Sequence, residues 1–233
     1  MATTETLARI SAIGPYFAVS CGPRPDATRF RPLAGLYQER APLADRVTEV
    51  GRRLGTGQRR VAASTFHLGT AARLWSVALA GAALTGQVPD LAPEGLWWRA
   101  AESGPIDLWM PEAAADLGGD TAAALHTAVV VRNLMPLGAA LERHFGLSPL
   151  VMRGNIASAL VGTVRVLRSC APDLPHPPLA LATALLGRGP LKDAGVLTTR
   201  PLAYRRHSCC LYYRVPGGGL CGDCVLHREK SQA

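Results

Sequence analysis

The chain has 233 residues, a formal net charge of +8, 48% hydrophobic residues and 18% charged residues. This composition excludes a disordered chain and is sufficient for a hydrophobic core without a disulfide scaffold. The first ten residues, MATTETLARI, include Glu5 and lack the apolar run of a secretory signal, so we predict a cytoplasmic protein.

The N-terminal third contains one strong helical signal. Residues 10–20 read as a strand, and Ala41 to Leu54 as a short helix. The stretch from Arg60 to Thr85 is rich in alanine and free of proline, which predicts a long helix that is buried on most sides.

The middle of the chain combines a hairpin with a second long helix. Leu96 to Arg99 and Ile106 to Met110 are short aromatic-rich runs separated by a Gly-Pro turn, which predicts two hairpin strands. Asp120 is placed to cap a helix that is kinked at Pro136 and ends near Gly146.

The last third of the body is predicted to hold two more helices. Ser148-Pro149 is a helix start, and this helix runs until Pro172. A shorter helix covers 178–186 and precedes an extended segment from Val196 to Tyr204.

These elements predict a mainly α (α+β) fold. We expect a helical body over 1–200 with a β-hairpin, followed by a C-terminal cysteine-rich metal loop over 201–233. The most apolar stretches, Ala62 to Val88 and Ala122 to Leu141, are interrupted by charged and polar residues. We therefore interpret them as buried helices and expect no membrane span.

Four of the six cysteines lie within the segment HSCCLYYRVPGGGLCGDC, as Cys209, Cys210, Cys221 and Cys224. In a reducing compartment such clustering indicates a metal site rather than disulfides. Four thiolates suit either a 2Fe–2S cluster or a tetrahedral zinc ion. Only 221–224 has the form of a zinc knuckle, and adjacent cysteines suit the wider two-iron cluster better, although zinc and a catalytic thiol set stay open.

The remaining two cysteines, Cys21 and Cys170, are too distant in sequence to be assigned as ligands, and we interpret them as buried structural thiols. Near the cluster, His207 and His227 are close enough in sequence to tune its properties, but neither is needed as a ligand.

The surroundings of the four cysteines are rich in glycine and arginine. Small residues between the ligands let backbone N–H groups approach sulfur, and Arg206 and Arg214 would stabilise the more negative reduced cluster. Residues 200–233 carry six basic residues against two acidic ones. This basic rim either attracts an acidic redox partner or keeps the surface solvated.

The motif C-C-x10-C-x2-C near the C-terminus, preceded by RRHS and continued by CGDCVL, resembles the FhuF-like ferric iron reductases of bacteria. The chain length and the segment Arg153-Gly154-Asn155-Ile156-Ala157-Ser158 are also similar to that family. Arg153 departs from the family pattern, in which Trp-Gly-Asn is more usual.

The resemblance implies a 2Fe–2S cluster on Cys209, Cys210, Cys221 and Cys224 that reduces Fe(III) held by an imported siderophore of the hydroxamate type. Fe(II) binds hard oxygen ligands less tightly and is then released in the cytoplasm. On this hypothesis Trp97, Trp98 and Trp109 are candidate walls of the siderophore site, although three tryptophans on a hairpin are more often part of the core.

The chain contains no P-loop, no G-x-G-x-x-G fingerprint and no G-x-S-x-G elbow, so an external electron donor, such as a ferredoxin-like protein, is expected. Two alternatives are a zinc-stabilised binding module and a different 2Fe–2S electron-transfer protein. Nucleic-acid binding is not expected, because no histidine pair follows the cysteines at zinc-finger spacing.

Overall fold

The computed structural model describes residues 4–102 and 104–227. Within these ranges the chain is mainly helical with two small β-sheets, which confirms the predicted fold class. The helices are α1 Thr4–Ser11, α2 Leu33–Gln38, α3 Arg40–Arg53, α4 Arg59–Thr85, α5 Thr121–Leu125, α6 Met135–Phe145, α7 Pro149–Cys170 and α8 Pro178–Leu186. The strands are β1 Val19–Cys21, β2 Arg31–Pro32, β3 Trp97–Arg99, β4 Asp107–Met110, β5 Gly195–Thr199 and β6 Leu202–Arg206.

Helices α4 and α7 pack along each other in the centre of the fold. Most of the small and aliphatic side chains of α4 are buried, as its alanine-rich sequence predicts. The fully buried Trp75 fixes the register of the pair, because its indole N–H donates to the carbonyl of Ile156 at 3.1 Å. This helix pair supports the cysteine segment.

Three helical stretches are long and apolar enough to cross a membrane by length and composition: α4, Thr121–Phe145 and α7. In the folded chain 72%, 61% and 72% of their most apolar windows are buried within the protein. The two stretches that were expected to be buried helices thus pack largely against the rest of the fold.

The second long helix begins where the sequence predicts. The Asp120 carboxylate accepts hydrogen bonds from the amides of Ala122 and Ala123, and Gly146 ends the helix in a left-handed conformation. Between α5 and α6 the segment His126–Leu134 is π-helical. This wider turn precedes Pro136, which lacks an amide hydrogen for the helical ladder.

The predicted hairpin is confirmed as β3 and β4, which pair with Trp97 opposite Trp109. It belongs to a four-stranded sheet of order β1-β4-β3-β2, in which β1 runs parallel to β4.

Two predictions for the ends of the chain are wrong in detail. Residues 10 and 11 belong to α1, so the strand covers only Val19–Cys21. The extended segment near the C-terminus is an antiparallel hairpin of β5 and β6 that turns at Arg200-Pro201. Strand pairing with β5 directs β6 into the cysteine segment.

Candidate iron–sulfur site

The four clustered cysteines lie in a compact loop that follows β6. Cys210 and Cys224 are buried, whereas Cys209 and Cys221 are partly exposed. After the adjacent pair the chain reverses at Leu211, which has a left-handed φ of 69°. Because a leucine adopts this conformation only at a steric cost, the surrounding loop must hold it in place.

Pairwise interactions bring the four sulfur atoms together. The Cys221 thiol hydrogen-bonds to Cys210, which lowers the pKa of Cys210 to about 6 and raises the pKa of Cys221. Cys209 interacts with Cys210 and Cys224, and its pKa is raised chiefly by burial. Thiolates as close as this pair need a positive charge, such as that of a metal, to neutralise them.

Each of the four sulfurs receives a hydrogen bond from the amide two residues further along the chain. Leu211 N donates to Cys209 Sγ at 3.3 Å, and Leu226 N donates to Cys224 Sγ at 3.4 Å. The amides of Tyr212 and Asp223 act in the same way on Cys210 and Cys221. Such amide–sulfur hydrogen bonds stabilise thiolate and raise the reduction potential of an iron–sulfur cluster.

The two central helices hold the buried half of the loop. The Ser64 hydroxyl of α4 donates to the Cys210 carbonyl at 2.7 Å. Asn155 of α7 donates to the Ser64 hydroxyl at 3.1 Å and to its carbonyl at 3.0 Å. The Asn155 side chain therefore acts through Ser64 on the backbone of a cysteine.

Arg206 is a buried cation beside the cysteines, with an exposed fraction of 1%. Its Nη2 donates to the Val151 carbonyl at 3.1 Å, while Nε has no hydrogen-bond partner. Within the described residues its guanidinium forms no ion pair with a carboxylate, and its charge acts on Cys209 and Cys210. A buried charge without a counter-ion is costly. Four thiolates holding iron and sulfide are a net anion, so the donor set and this arginine fit a 2Fe–2S cluster.

Asp223, between two of the cysteines, ties the loop to α7. Its carboxylate accepts hydrogen bonds from the Ser158 hydroxyl and from Arg165 Nη2, the latter at 2.8 Å. Its carbonyl accepts from the Arg206 amide at 3.1 Å. The segment from Cys221 to Cys224 is thus fixed through both the side chain and the backbone of one residue.

Two cavities adjoin the loop. The larger, of about 640 Å³, lies between α4, α7 and residues 13–17, and Cys221, Gly222 and Asp223 form part of its wall. The smaller, of about 210 Å³, is lined by Cys210, Tyr212 and Cys221 together with residues of α4. Cys221 lines both, so this cysteine borders the two cavities.

Arg73 anchors residues 13–17, which form the wall of the larger cavity opposite α4 and α7. This buried arginine donates to the carbonyls of Tyr16, at 2.5 Å, and Ala18. Burial lowers its pKa to about 10, so the side chain is charged at neutral pH. The loop over 13–17 is therefore anchored rather than free.

Other residues singled out in the sequence have structural roles. Trp97, Trp98 and Trp109 belong to the sheet, and none of them lines the two cavities beside the cysteines. Arg153 donates to the carbonyls of Pro190 and Lys192 and so ties α7 to the segment before β5.

The other histidines and cysteines singled out in the sequence are His207, His227, Cys21 and Cys170. His207 Nδ1 contacts the Asp193 carbonyl at 2.8 Å, and His227 is exposed. Cys21 packs against the core, whereas Cys170 is exposed at the end of α7, so the expectation of a buried thiol is wrong there. Of the basic rim, residues 228–230 lie outside the described residues.

Sequence reasoning missed Ser64, Ser158 and Arg165. A signal was present on α7, because Gly154, Ser158 and Gly162 follow one another at four-residue intervals. Small residues at this spacing share one face of a helix and leave a groove for another segment.

Among the described residues, no group of three or more histidine, cysteine, aspartate or glutamate side chains is arranged to hold a single metal ion. The loop is nevertheless that of an iron–sulfur protein by comparison with known families. Residues 206–226 match the model of the FhuF 2Fe-2S C-terminal domain, which confirms the resemblance and identifies a 2Fe–2S cluster as the cofactor. No curated protein matches the chain.

Proposed function

We propose that the protein reduces Fe(III) in an imported ferric siderophore of the hydroxamate type and releases Fe(II) in the cytoplasm. The observation that carries this proposal is the contact between the larger cavity and the cysteine loop, since Cys221 and Gly222 form part of the cavity wall. A chelate in this cavity lies next to the redox centre, with no other layer of protein between them.

The size and lining of the cavity suit a chelate of this kind. Its volume of about 640 Å³ falls in the usual range for small-molecule sites, roughly 300–1,000 Å³. Aliphatic side chains and helix glycines form most of the wall, with hydroxyl groups from Ser76, Ser158 and Thr163 between them. Such a surface accommodates the organic shell of a chelate and offers a few polar contacts.

The charges of the wall favour a neutral chelate. Arg165 and Asp223 pair with each other, and Arg206, which has no carboxylate partner among the described residues, balances the negative charge of the cluster. A charged chelate would have no free counter-ion in this wall. We therefore expect the protein to prefer a neutral cyclic trihydroxamate to a linear one that carries a free ammonium group.

The reaction is a one-electron transfer. When bound, the cluster supplies an electron that converts chelated Fe(III) to Fe(II). Hard oxygen ligands hold Fe(II) much less tightly, so the metal dissociates. The protein's own residues hold the chelate close, exclude water through the apolar wall and position the cysteines through Ser64 and Asp223.

A single-turnover experiment tests the proposal. Anaerobic protein is reduced with dithionite, freed from excess reductant and mixed with a neutral ferric trihydroxamate and a chromogenic Fe(II) chelator. We expect the visible absorption of the oxidised cluster to return as one equivalent of Fe(II) appears. A reducible cluster that does not react would instead indicate another electron-transfer protein, and a colourless protein with stoichiometric zinc would indicate a structural module.

A variant with a filled cavity distinguishes the reduction of a chelate bound there from the reduction of an oxidant that needs no binding site. A Cβ added at Gly162 meets no atom within 4 Å, so Gly162→Leu extends into the cavity without a backbone clash. We expect at least a tenfold lower rate with the trihydroxamate and an unchanged rate with ferricyanide. Gly162→Ala is the matched control, and equal rates for both variants would place the substrate elsewhere.

A further inference from the structure

The outer side of the cysteine loop exposes large apolar side chains. Tyr213, Leu220 and Leu226 have exposed fractions of 43%, 46% and 49%. Each is within three residues of a cysteine in the sequence, and none of them lines either cavity beside the cysteines. Grouped apolar side chains on a surface mark an interaction site, whereas single ones do not.

Arginines accompany these apolar side chains. Arg205 and Arg214 are exposed. From Gly195 to His227 the sequence contains one carboxylate, Asp223, which is buried and paired with Arg165. The exposed side of the loop and its supporting hairpin is therefore cationic.

Arg214 and Tyr213 form an ordered pair on this surface. Arg214 Nε donates to the Tyr213 hydroxyl at 3.0 Å, and the guanidinium lies 5.5 Å from the ring centroid. Arg205 Nη2 donates to the His227 carbonyl at 2.9 Å, which links β6 to the end of the loop. Tyrosine and arginine are among the residues that contribute most to protein–protein interfaces.

We propose that this donor face, made of Tyr213, Arg214, Leu220 and Leu226 together with Arg205, binds an acidic one-electron carrier protein. The proposal rests on the proposed function and names its electron donor by chemistry. The carrier is oxidised by one electron, the cluster is reduced by that electron, and chelated Fe(III) then accepts it. Because carrier and chelate contact different residues of one loop, both can be bound at the same time.

The test uses the full holoprotein and an acidic plant-type ferredoxin kept reduced by its reductase and NADPH. Stopped-flow bleaching of the cluster gives the second-order rate constant over a range of salt concentrations. We expect the wild-type rate to fall steeply with salt and Arg205→Glu/Arg214→Glu to lower it at least tenfold at low salt. Leu220→Ser should lower the rate a few-fold without changing its salt dependence.

Arg168→Glu is the matched control for charge reversal. Arg168 is exposed in the last turn of α7, about 21 Å along the helix from Gly154, where Arg206 crosses it. The rate constant for reduction of the Arg168→Glu variant by ferredoxin should stay within twofold of the wild-type value. The reduction potential of each variant is measured, so that rates are compared at a known driving force.

Equal rates for Arg205→Glu/Arg214→Glu and Arg168→Glu, or a wild-type rate that is indifferent to salt, would overturn the donor face. Dithionite-reduced protein with the ferric trihydroxamate tests the proposed function separately, because it bypasses the carrier. If that reaction fails while ferredoxin reduces the cluster at the expected rate, the proposed reductase function is wrong. The donor face is then still supported.

Discussion

Arg206 lies directly against Gly154, so closely that no side chain fits between them. A Cβ added at Gly154 would lie 2.6 Å from Arg206 Nη2, 2.9 Å from Nε and 2.4 Å from the Ser208 hydroxyl. The glycine of the Arg-Gly-Asn segment thus allows the buried cation and the start of the cysteine loop to contact α7.

Gly154→Ala should therefore displace Arg206 and loosen the loop. Overpacking of this kind costs about 1–3 kcal/mol. Gly162→Ala on the same helix meets open space and should be neutral or stabilising by up to about 1 kcal/mol, since alanine favours helix. Urea unfolding and the iron content of the purified variants measure both effects. Equal behaviour of the two variants would contradict the close contact.

The charge of Arg206 should raise the reduction potential of the cluster. Arg206→Met removes a buried positive charge that acts on Cys209 and Cys210, and so disfavours the more negative reduced state. We expect the potential to fall by on the order of 60 mV, equivalent to about 1.4 kcal/mol for one electron. Arg205→Met, at the exposed neighbouring position, should change it far less. A spectroelectrochemical titration decides between these outcomes.

The Asp223 carboxylate should slow the loss of the cluster. The Asp223 side chain is largely buried and pairs with Arg165. Asp223→Asn keeps the shape of this side chain but removes its charge. We expect iron release to a chelator to accelerate roughly tenfold, in line with the 10–100-fold effects of groups that support metal ligands. Asp90→Asn breaks a more exposed pair, with Arg132, and is the matched control. Similar release rates in both variants would count against this role.

Acid should destabilise the protein through His67. Burial, with a smaller contribution from the Arg206 charge, lowers the pKa of His67 to about 3 in the folded state. Between that value and the unfolded pKa of about 6.5, the unfolded chain binds more protons, so stability falls as the pH is lowered through this window. The slope approaches about 1.4 kcal/mol per pH unit well inside it.

His67→Gln should reduce this slope, whereas His144→Gln, at a partly exposed position on α6, should retain it. Urea midpoints of the holoproteins between pH 5.5 and 7.5 provide the comparison. An unchanged slope in His67→Gln would show that another group dominates the acid dependence.

Local sequence signals determined most of the helices and the type of cofactor. Asp120 and Ser148 cap their helices as predicted, because capping involves only residues two or three positions away. The cysteine spacing predicts four cluster ligands, which fall within 16 residues, 209–224. The turn at Arg200-Pro201 was missed, since strand pairing rather than residue preference divides that segment into β5 and β6.

The tertiary structure alone decided what surrounds the cluster. Ser64 contacts Cys210 across 146 positions of sequence, Ser158 contacts Asp223 across 65, and Arg206 contacts Val151 across 55. No local pattern encodes such contacts, because they depend on how α4 and α7 pack. That packing also creates the cavity beside Cys221 and leaves Arg206 buried without a carboxylate, so the charge balance of the site depends on the fold as a whole.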